Sequence, residues 1–443
     1  PREVKGFFSS ARWFFVWLTQ IIYYLTPWIS FNDRQAILFD LENRRFFIFN
    51  LVLYPQDLIY LTGLLIISAL SLFLFTAVAG RLWCGYTCPQ TVYTEIFQWI
   101  ENKVEGSFLK RKELDSSKWN TKKFFKKGVK HFIWLLFAFW TGFTFSGYFT
   151  PIQPLFINLV TFSLSGWSLF WILFYSFATY GNAGFMREQV CKYMCPYARF
   201  QSAMFDNKTL IISYDNERGE PRGKLSTNMK SNGDCIDCNI CVQVCPTGID
   251  IRQGLQYECI GCAACIDACD QVMAKVNKPK GLIKYTSEFL NSNKCVSFFK
   301  SIFRPRILIY SGILLIFIVL FLTAISIRPT FRVDIVKDRS ILSRIDNNGN
   351  IENVYRMQFM NLNEYAQSFS IDVQSNHGLI KLDQEDENKE FLIPPAASEW
   401  FVVHLETPYE LIETGKYKIN VVFTSKQSGD VIVEETTFIV PRK

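Results

Sequence analysis

The chain has 443 residues, of which 49% are hydrophobic and 16% aromatic, and its formal net charge is +7. This composition is too apolar for an ordinary soluble enzyme. The positive charge does not indicate a nucleic-acid partner, because the basic residues cluster beside apolar segments. The chain starts at Pro1 without a Met or a cleavable signal pattern, so we expect the natural N-terminus to lie further upstream.

Long apolar segments predict about five transmembrane helices. They are expected at 13–32, 58–80, 132–149, 161–180 and 307–327. Segment 58–80, for example, is long enough to cross the roughly 30 Å of hydrocarbon in a bilayer. No acidic or basic residue stands between Lys130 and Arg187, which predicts a helical hairpin that turns at the TPIQP segment.

The distribution of basic residues predicts how these spans are oriented. Segment 81–130 contains eleven Lys and Arg residues, whereas 150–160 contains none. Basic loops remain on the cytoplasmic side of a membrane. We therefore expect 81–130 and 181–306 in the cytosol and the chain after 328 on the outer side. The basic segment is also expected to contact anionic membrane lipid.

Two short cysteine motifs follow the second and fourth predicted spans. LWCGYTCPQT contains Cys84 and Cys88, VCKYMCPYARF contains Cys191 and Cys195, and both read C-x3-C-P. The proline of each motif suits the first turn of a helix, and the residues behind it are spaced as in a helix lying along the membrane surface. A thiol at a helix N-terminus is expected to have a lowered pKa.

The four C-x3-C-P thiols could meet at the membrane surface, and three interpretations remain open. They could bind a soft metal, above all Cu(I), with Met194 as a further soft donor. They could instead hold a third iron–sulfur cluster, or be buried cysteines without a ligand. A disulfide is disfavoured because the cytosol is reducing.

The strongest pattern lies between Cys235 and Cys269, where eight cysteines form two copies of C-x2-C-x2-C-x3-C. Three close cysteines wrap one face of a [4Fe–4S] cube, and the fourth comes from the other copy. One predicted ligand set is Cys235, Cys238, Cys241 and Cys269. The other is Cys245, Cys259, Cys262 and Cys265. Zinc sites and disulfide frameworks use different spacings.

The chain from 330 onward alternates apolar and polar residues in short runs separated by turn residues, which predicts a β-sandwich. It contains no cysteine, so its expected role is docking or structural support. Only three histidines occur in the chain, too few and too scattered for a haem relay; His377 and His404 are expected to be ordinary surface or core residues. Cys295 is expected to be a bystander thiol.

Together these patterns predict a multi-domain α+β membrane protein. The expected domains are 1–205 with four transmembrane helices and both C-x3-C-P motifs, 206–300 as a ferredoxin-like domain with two [4Fe–4S] clusters, 301–329 as the fifth helix, and 330–443 as a β-sandwich.

Several longer stretches resemble the bacterial cytochrome c oxidase accessory proteins of the CcoG family, also called RdxA or FixG. They are YPQD at 54–57, AGRLWCGYTCPQTVYTE, ATYGNAGFMREQVCKYMCPYARFQ, YDNERGEPRG at 214–223, and the double ferredoxin motif that continues into GLIKYTSE. The match covers nearly the whole chain. Tyr54 departs from the family, where Trp is common, but no cysteine is affected.

The resemblance implies an inner-membrane iron–sulfur protein that serves maturation of the cbb-type haem–copper oxidase by reducing Cu(II) to Cu(I). It implies that the C-terminal domain is immunoglobulin-like and periplasmic, and that the copper-handling residues are Cys84, Cys88, Cys191 and Cys195. The implied partners are membrane lipid, a cytosolic electron donor, and the oxidase or its copper-delivery proteins.

Two other functions remain open at this point. One is a module that exchanges electrons with quinone. The other is a redox sensor or scaffold without catalytic turnover.

Overall fold

A computed structural model describes the chain except residues 33, 224–232, 288–302, 338–342, 347–348, 376–378, 384–385, 387–389 and 442–443. Cys295 and His377 lie outside the described residues. The chain divides into two compact units. The first comprises Pro1–Ile29, Ile37–Phe39 and Ile59–Phe321, and the second comprises Ser30–Ala36, Asp40–Leu58 and Leu322–Lys443.

Five helices correspond to the apolar segments of the sequence. They are α1 (Phe7–Leu25), α2 (Leu58–Ala79), α6 (Thr121–Ser146), α8 (Gly166–Thr179) and α13 (Pro305–Ser326). Within the described residues, two helical stretches, Pro55–Ala79 and Pro305–Ser326, are long and apolar enough to cross a membrane. The prediction of five spans is therefore confirmed in part, and the other three spans remain a prediction.

The boundaries of the remaining helices differ from the sequence prediction. Helix α1 begins before 13 and ends at Leu25, because Pro27 stands in a 3₁₀ turn that stops it. The TPIQP segment is not a simple turn: it opens helix α7 (Ile152–Val160), and the chain turns back at 161–165. Helix α8 is short because the chain continues from Tyr180 to Met186 as a π-helix.

Helices α6 and α8 form the predicted hairpin, and a glycine lets them approach closely. A methyl group placed on Gly142 would lie 2.4 Å from the carbonyl oxygen of Ile172. Small residues allow this kind of backbone approach between membrane helices. Phe143, Ile152, Leu155 and Ile172 form the buried cluster beside the contact.

Four less apolar helices lie beside the cysteine motifs and between the apolar helices. They are α3 (Leu82–Tyr86), α4 (Pro89–Glu105), α5 (Phe108–Ser116) and α9 (Pro196–Met204). Both predicted proline-initiated helices are present, since α4 and α9 begin at the proline of each C-x3-C-P motif. Cys88 and Cys195 therefore occupy the N-cap positions.

The eight-cysteine segment folds between two paired strands. Strand β6 (Ile211–Tyr214) pairs antiparallel with β7 (Ile283–Thr286). Between them lie α10 (Asn216–Gly219), α11 (Ile240–Val244) and α12 (Ala264–Lys275). Helix α12 also packs on α1, where the Asp267 carboxylate accepts hydrogen bonds from the backbone N–H groups of Phe8 and Ser9.

The second unit contains the predicted β-sandwich. One sheet has the order β12 (Lys381–Leu382), β14 (Ser398–Pro408), β10 (Asn350–Asn361), β8 (Phe331–Lys337), with β9 (Arg344–Ile345) also paired to β10. The other has the order β13 (Phe391–Ile393), β11 (Gln367–Ser375), β15 (Gly415–Ser425), β16 (Val431–Val440). Alternate residues of both sheets share one core, in which the Phe359 ring lies 5.4 Å from Phe369 and 5.5 Å from Phe423.

Short strands near the N-terminal end complete the description: β1 (Ser30–Phe31), β2 (Arg34–Gln35), β3 (Ile37–Asp40), β4 (Arg45–Ile48) and β5 (Leu51–Leu53). In the second unit, Asp57 is fully buried and forms ion pairs with Arg328 at 2.6 Å and Arg332 at 2.8 Å. This ion cluster fixes the segment before α2 to the start of the sandwich.

Candidate functional site

The two predicted ligand sets line two different cavities. One cavity is bordered by Cys235, Cys238, Cys241 and Cys269. The other is bordered by Cys245, Cys259, Cys262 and Cys265, and Cys241 also reaches it. Each cavity thus collects three cysteines of one motif and the last cysteine of the other. The residues present fit two cubes held by crossed ligation.

The two motifs repeat the same backbone conformation at equivalent positions. Asn239 and Ala263 follow the second cysteine of each motif, have φ of 55° and 59°, and precede α11 and α12. One step before that cysteine, Asp237 and Gly261 have φ of 50° and 70°. These left-handed residues turn the chain sharply enough for successive cysteines to face one centre.

The C-x3-C-P motifs lie beside the second cavity. Cys84 and Cys191 both pack against an apolar cluster that contains Val244, Ile260 and Cys262. The structure therefore brings one thiol from each C-x3-C-P motif to the same side of the ferredoxin-like segment. Met194 is 57% exposed, so its side chain does not join this cluster.

Hydrogen bonds tie the two C-x3-C-P motifs to each other. The Cys84 thiol donates to Oε1 of Gln201, on α9, at 3.3 Å. In the opposite direction, Nε2 of Gln90, on α4, donates to the carbonyl oxygens of Asn182 and Arg187 at 3.0 Å each. Gln201, from the helix after the second motif, thus holds the first motif. Gln90, from the helix after the first motif, holds the segment before the second motif.

A backbone contact joins the first C-x3-C-P motif to the second cysteine cavity. A methyl group on Gly85 would lie 2.8 Å from the carbonyl oxygen of Gly261 and 2.9 Å from the Cys262 backbone. A methyl group on Gly261 would lie 3.0 Å from the carbonyl oxygen of Arg81. Asp237 adopts a similar positive φ without being glycine. The close approach to Arg81, more than the φ angle, therefore requires glycine at 261.

The expectation of acidic thiols at the helix N-termini is wrong for Cys88. Burial raises the pKa of the Cys88 thiol, although the backbone N–H groups of Gln90 and Thr91 act in the opposite direction. Burial, followed by the charge of Cys88, raises the pKa of Cys84 to about 12. Burial likewise raises the pKa of Cys191 to about 11. A metal must displace protons to bind such thiols.

A buried ion network positions the second motif. Glu101 of α4 pairs with Arg111 at 2.9 Å and with Arg187 at 3.1 Å. Burial alone would raise the pKa of Glu101, but the surrounding cations, led by Arg187, hold it below its usual range. Arg187 has a strained backbone, with φ of 43°, and stands between two π-helical turns just before Cys191. Such turns are frequent at functional sites.

Across the described ranges, no three Cys, His, Asp or Glu side chains lie close enough to share a single metal ion. The statement covers the eight ferredoxin-like cysteines, whose ligands would surround a cube instead of one ion, and it also covers the four C-x3-C-P cysteines, which are not gathered around one ion here. His131 bonds through Nδ1 to the Tyr180 hydroxyl at 3.0 Å, and His404 bonds to Asp386 at 3.1 Å.

Sequence reasoning missed the residues that connect the motifs. Arg81, Gly85, Gln90 and Gln201 stand in stretches that carry the family resemblance, and Gly261 stands within the second cysteine motif, but the sequence assigns no contact to any of them. One signal was readable: the duplicated cysteine motif carries Asp in one copy and Gly in the other at the position before the second cysteine. That difference marks the copy that another backbone approaches.

Comparisons with known proteins agree with this arrangement. A family model for a 4Fe–4S dicluster domain matches residues 186–288, which include both cavities and the second C-x3-C-P motif. A 4Fe–4S binding domain model matches 61–112, around the first motif. A model of the IG-like fold at the C-terminal of FixG matches 321–441, and the predicted immunoglobulin-like domain is thereby confirmed.

Protein RdxA of Cereibacter sphaeroides is 37% identical over 391 residues, covering 86% of this chain and 82% of RdxA. The chain belongs to the RdxA/FixG family. RdxB of the same organism is 40% identical over 86% of this chain and 82% of RdxB. Nitrogen fixation protein FixG of Rhizobium meliloti is 35% identical over 84% of this chain and 78% of FixG.

A crystal structure of a FixG-related protein from Vibrio parahaemolyticus shares 18% identity with a TM-score of 0.23, covering 25% of this chain and 97% of that chain. Membership of the RdxA/FixG family rests on the sequence relatives. The chain is a membrane iron–sulfur electron-transfer protein with two [4Fe–4S] clusters.

Proposed function

We propose that this protein reduces Cu(II) to Cu(I) for delivery to a cbb-type cytochrome c oxidase. The observation that supports this most directly is the contact of Gly85 with the backbone of Gly261 and Cys262. It places the first C-x3-C-P motif against the loop that carries ligands of one cluster. Copper would be held by the thiols of Cys84, Cys88, Cys191 and Cys195.

The proposed cluster ligands are the two crossed sets. Cys235, Cys238, Cys241 and Cys269 would hold the first cluster, and Cys245, Cys259, Cys262 and Cys265 the second. When bound, these clusters supply single electrons, which suits a one-electron reduction of copper. The electrons would come from a cytosolic donor. Cys238 is exposed whereas Cys262 is buried, so the donor would approach at the first set.

The protein's own residues would favour the reduced ion at the copper site. Thiolate ligands are soft and prefer Cu(I) to Cu(II). Cys84 and Cys191 are half-buried against an apolar cluster, which limits the access of water, a ligand of the oxidised ion. Gln201 accepts a hydrogen bond from Cys84, and Gln90 holds the chain before Cys191. These glutamines would keep thiols from the two motifs facing one another.

The proposed placement in the membrane follows from the charge distribution. The segment 81–130, with its eleven basic residues, would face the cytosol and anionic lipid together with the ferredoxin-like segment. The sandwich would lie in the periplasm of the bacterial inner membrane, where the oxidase or its copper-delivery proteins could dock. The proposed domain limits remain 1–205, 206–300, 301–329 and 330–443.

The test uses the full-length protein under anaerobic conditions. The clusters are reduced with dithionite, excess reductant is removed, and Cu(II) is added with the Cu(I) chelator bathocuproine disulfonate. We expect wild type and the control Cys295→Ala to form Cu(I) as the clusters reoxidise. The double variant Cys84→Ala/Cys191→Ala should keep its iron but lose the reaction. Equal rates in all three proteins would reject the proposed site.

A third cluster is the competing occupant of the same thiols, because the 4Fe–4S binding domain match at 61–112 includes Cys84 and Cys88. Iron analysis separates the two cases. With four irons per cluster, the protein would contain about eight irons if the thiols bind copper and about twelve if they bind a cluster. An iron content of about twelve that falls to about eight in Cys84→Ala/Cys191→Ala would mean that these thiols bind a third cluster instead of copper.

A second candidate function, electron exchange with quinone, is supported by a cavity of about 440 Å³. Its walls include Trp13, Trp99 and Arg12, together with the residues on both sides of Cys245. Arg12 is buried, and its Nε has no hydrogen-bond partner among the residues described. The Trp13 and Trp99 rings meet edge to face at 6.3 Å, so a flat ring would stack on the outside of this pair with a carbonyl acceptor towards the guanidinium.

Menadione, a soluble quinone, tests this candidate. If the cavity binds quinone, menadione should reoxidise the reduced clusters with saturation, and Trp99→Leu should weaken the saturation without changing the iron content. A linear dependence on menadione concentration in both proteins would reject the cavity as a quinone site.

A further inference from the structure

Arg81 connects three parts of the chain that carry the proposed ligands. It stands three residues before Cys84 and is buried. One guanidinium nitrogen, Nη1, donates to the carbonyl oxygens of Tyr257 and Cys259, the latter at 3.3 Å. The other, Nη2, donates to the carbonyl oxygen of Ala198, on the helix after the second C-x3-C-P motif. Arg81 thus joins the second cluster's loop to both motifs.

The Arg81 guanidinium contacts carbonyl oxygens and no carboxylate within the part of the chain that the structure describes. Its Nε also lacks a hydrogen-bond partner there. A buried cation without a counter-charge is costly. Arg81 contacts the carbonyl oxygen of Cys259, so the thiolate of Cys259, when it binds the second cluster, would supply negative charge close to the guanidinium.

The first ligand set has an arginine as well, but its charge is neutralised. Arg252 borders the cavity of Cys235, Cys238, Cys241 and Cys269. Its guanidinium pairs with Asp237 at 2.6 Å and with Asp250 at 2.7 Å. One cation with two carboxylates leaves a net negative charge beside the first set. The two cluster sites therefore differ in electrostatic surroundings although their cysteine spacing is the same.

We propose that Arg81 is the positioning residue that raises the reduction potential of the second cluster above that of the first. A positive charge stabilises the more negative, reduced state of a cluster, and the net surrounding charge is one of the factors that set its potential. The greater exposure of Cys238 acts in the opposite direction, because water also stabilises the reduced state. The first electron would then reduce the second cluster, whose loop contacts Gly85.

This inference rests on the ligand sets given under Proposed function but not on copper chemistry. Its test is an anaerobic redox titration of the full-length protein, followed by electron paramagnetic resonance with no copper present. Arg81→Gln should lower the higher midpoint potential and leave the lower one in place. We expect the electron's preference for the second cluster to fall at least tenfold, which equals about 59 mV for a one-electron couple.

Arg252→Gln is the matched control, because it removes the same group beside the other cluster. It should lower the lower midpoint potential, since Asp237 and Asp250 lose their counter-charge. Arg81→Lys keeps the charge, so its higher potential should stay near that of wild type. If Arg81→Gln retains both clusters and leaves the higher potential unchanged, or if Arg81→Lys lowers it as much as Arg81→Gln does, the inference is wrong.

If Arg81→Gln loses a cluster, a second pair of variants, at Phe205, tests the same inference. The Arg81 guanidinium carbon lies 6.0 Å from the centre of the Phe205 ring. Phe205→Glu would supply the missing counter-charge and should lower the higher potential, whereas Phe205→Gln should not. Equal potentials in these two variants would overturn the role of Arg81. A failure of copper reduction would leave these potentials unaffected, so the two proposals fail separately.

Discussion

Replacing Gly85 by Ala tests whether the first C-x3-C-P motif must contact the second cluster's loop. The added methyl group would lie 2.8 Å from the Gly261 carbonyl oxygen and 2.9 Å from Cα and N of Cys262. All three atoms belong to the backbone, so no flexible side chain can move aside. Gly85→Ala must therefore push α3 and the loop apart.

The size of the displacement follows from ordinary contact distances. Carbon atoms pack best at about 3.5–4.0 Å, so the backbones must separate by roughly 0.6 Å or more. Overpacking of this kind costs about 1–3 kcal/mol in stability. A misplacement of about 1 Å can lower a catalysed rate about 100-fold. For the smaller shift expected here, we predict about a tenfold slower transfer of electrons to copper.

The assay is a single-turnover measurement in which reduced protein is mixed with Cu(II) and cluster reoxidation is followed by stopped-flow absorbance. Gly128→Ala is the control, because its added methyl group meets nothing within 4 Å. The control should react like wild type, and both variants should retain wild-type iron content. Gly85→Ala reacting at the wild-type rate with its clusters intact would refute the role given to the contact.

Three other predictions test ligation and packing. Cys238→Ser and Cys269→Ser should abolish the same cluster signal in electron paramagnetic resonance, and Cys245→Ser should abolish the other; loss of the same signal in Cys238→Ser and Cys245→Ser would exclude crossed ligation. The pKa of Glu101 lies below its ordinary value of 4.5, because the surrounding cations favour its charged form. The ionised Glu101 therefore stabilises the folded state fully above pH 4.5, and this contribution is lost as the pH falls through the lowered pKa of Glu101. Glu101→Gln should therefore lower the melting temperature at pH 7, with a difference from wild type that shrinks in acid; a constant difference would contradict this. Asp57→Ala should cost about 3–5 kcal/mol because it removes the buried carboxylate that pairs with Arg328 and Arg332. The loss should appear as faster hydrogen exchange in β8 and β10, and unchanged exchange would argue against it.

The cluster cavities could be predicted from sequence because their geometry is local. Three cysteines spaced by two residues must wrap one centre once the intervening residues adopt positive φ, as Asp237 and Asn239 do. The sandwich was equally predictable, since alternation of apolar and polar residues directly reflects the two faces of a strand. In both cases the information lies within a few neighbouring residues.

The contacts between distant segments could not be predicted in the same way. Nothing near Gly85 in sequence shows that it meets Gly261, and Arg81 is one of many basic residues in 81–130. The thiol pKa was mispredicted for the same reason. A helix N-terminus can be read from the proline after Cys88, whereas the burial that outweighs it appears only in the folded chain.

The duplicated cysteine motif is symmetric in spacing but not in surroundings, and the difference in charge favours transfer in one direction. Cys238 is exposed, and its equivalent Cys262 is buried against the C-x3-C-P motif. Asp237 pairs with Arg252, whereas its equivalent Gly261 admits the backbone of Arg81. One copy is therefore exposed and has a net negative charge beside it, and the other is buried and faces Arg81, which has no carboxylate partner among the described residues. Under the proposal, an electron entering at the exposed copy would be drawn towards the buried one, which is the site in contact with the C-x3-C-P motifs.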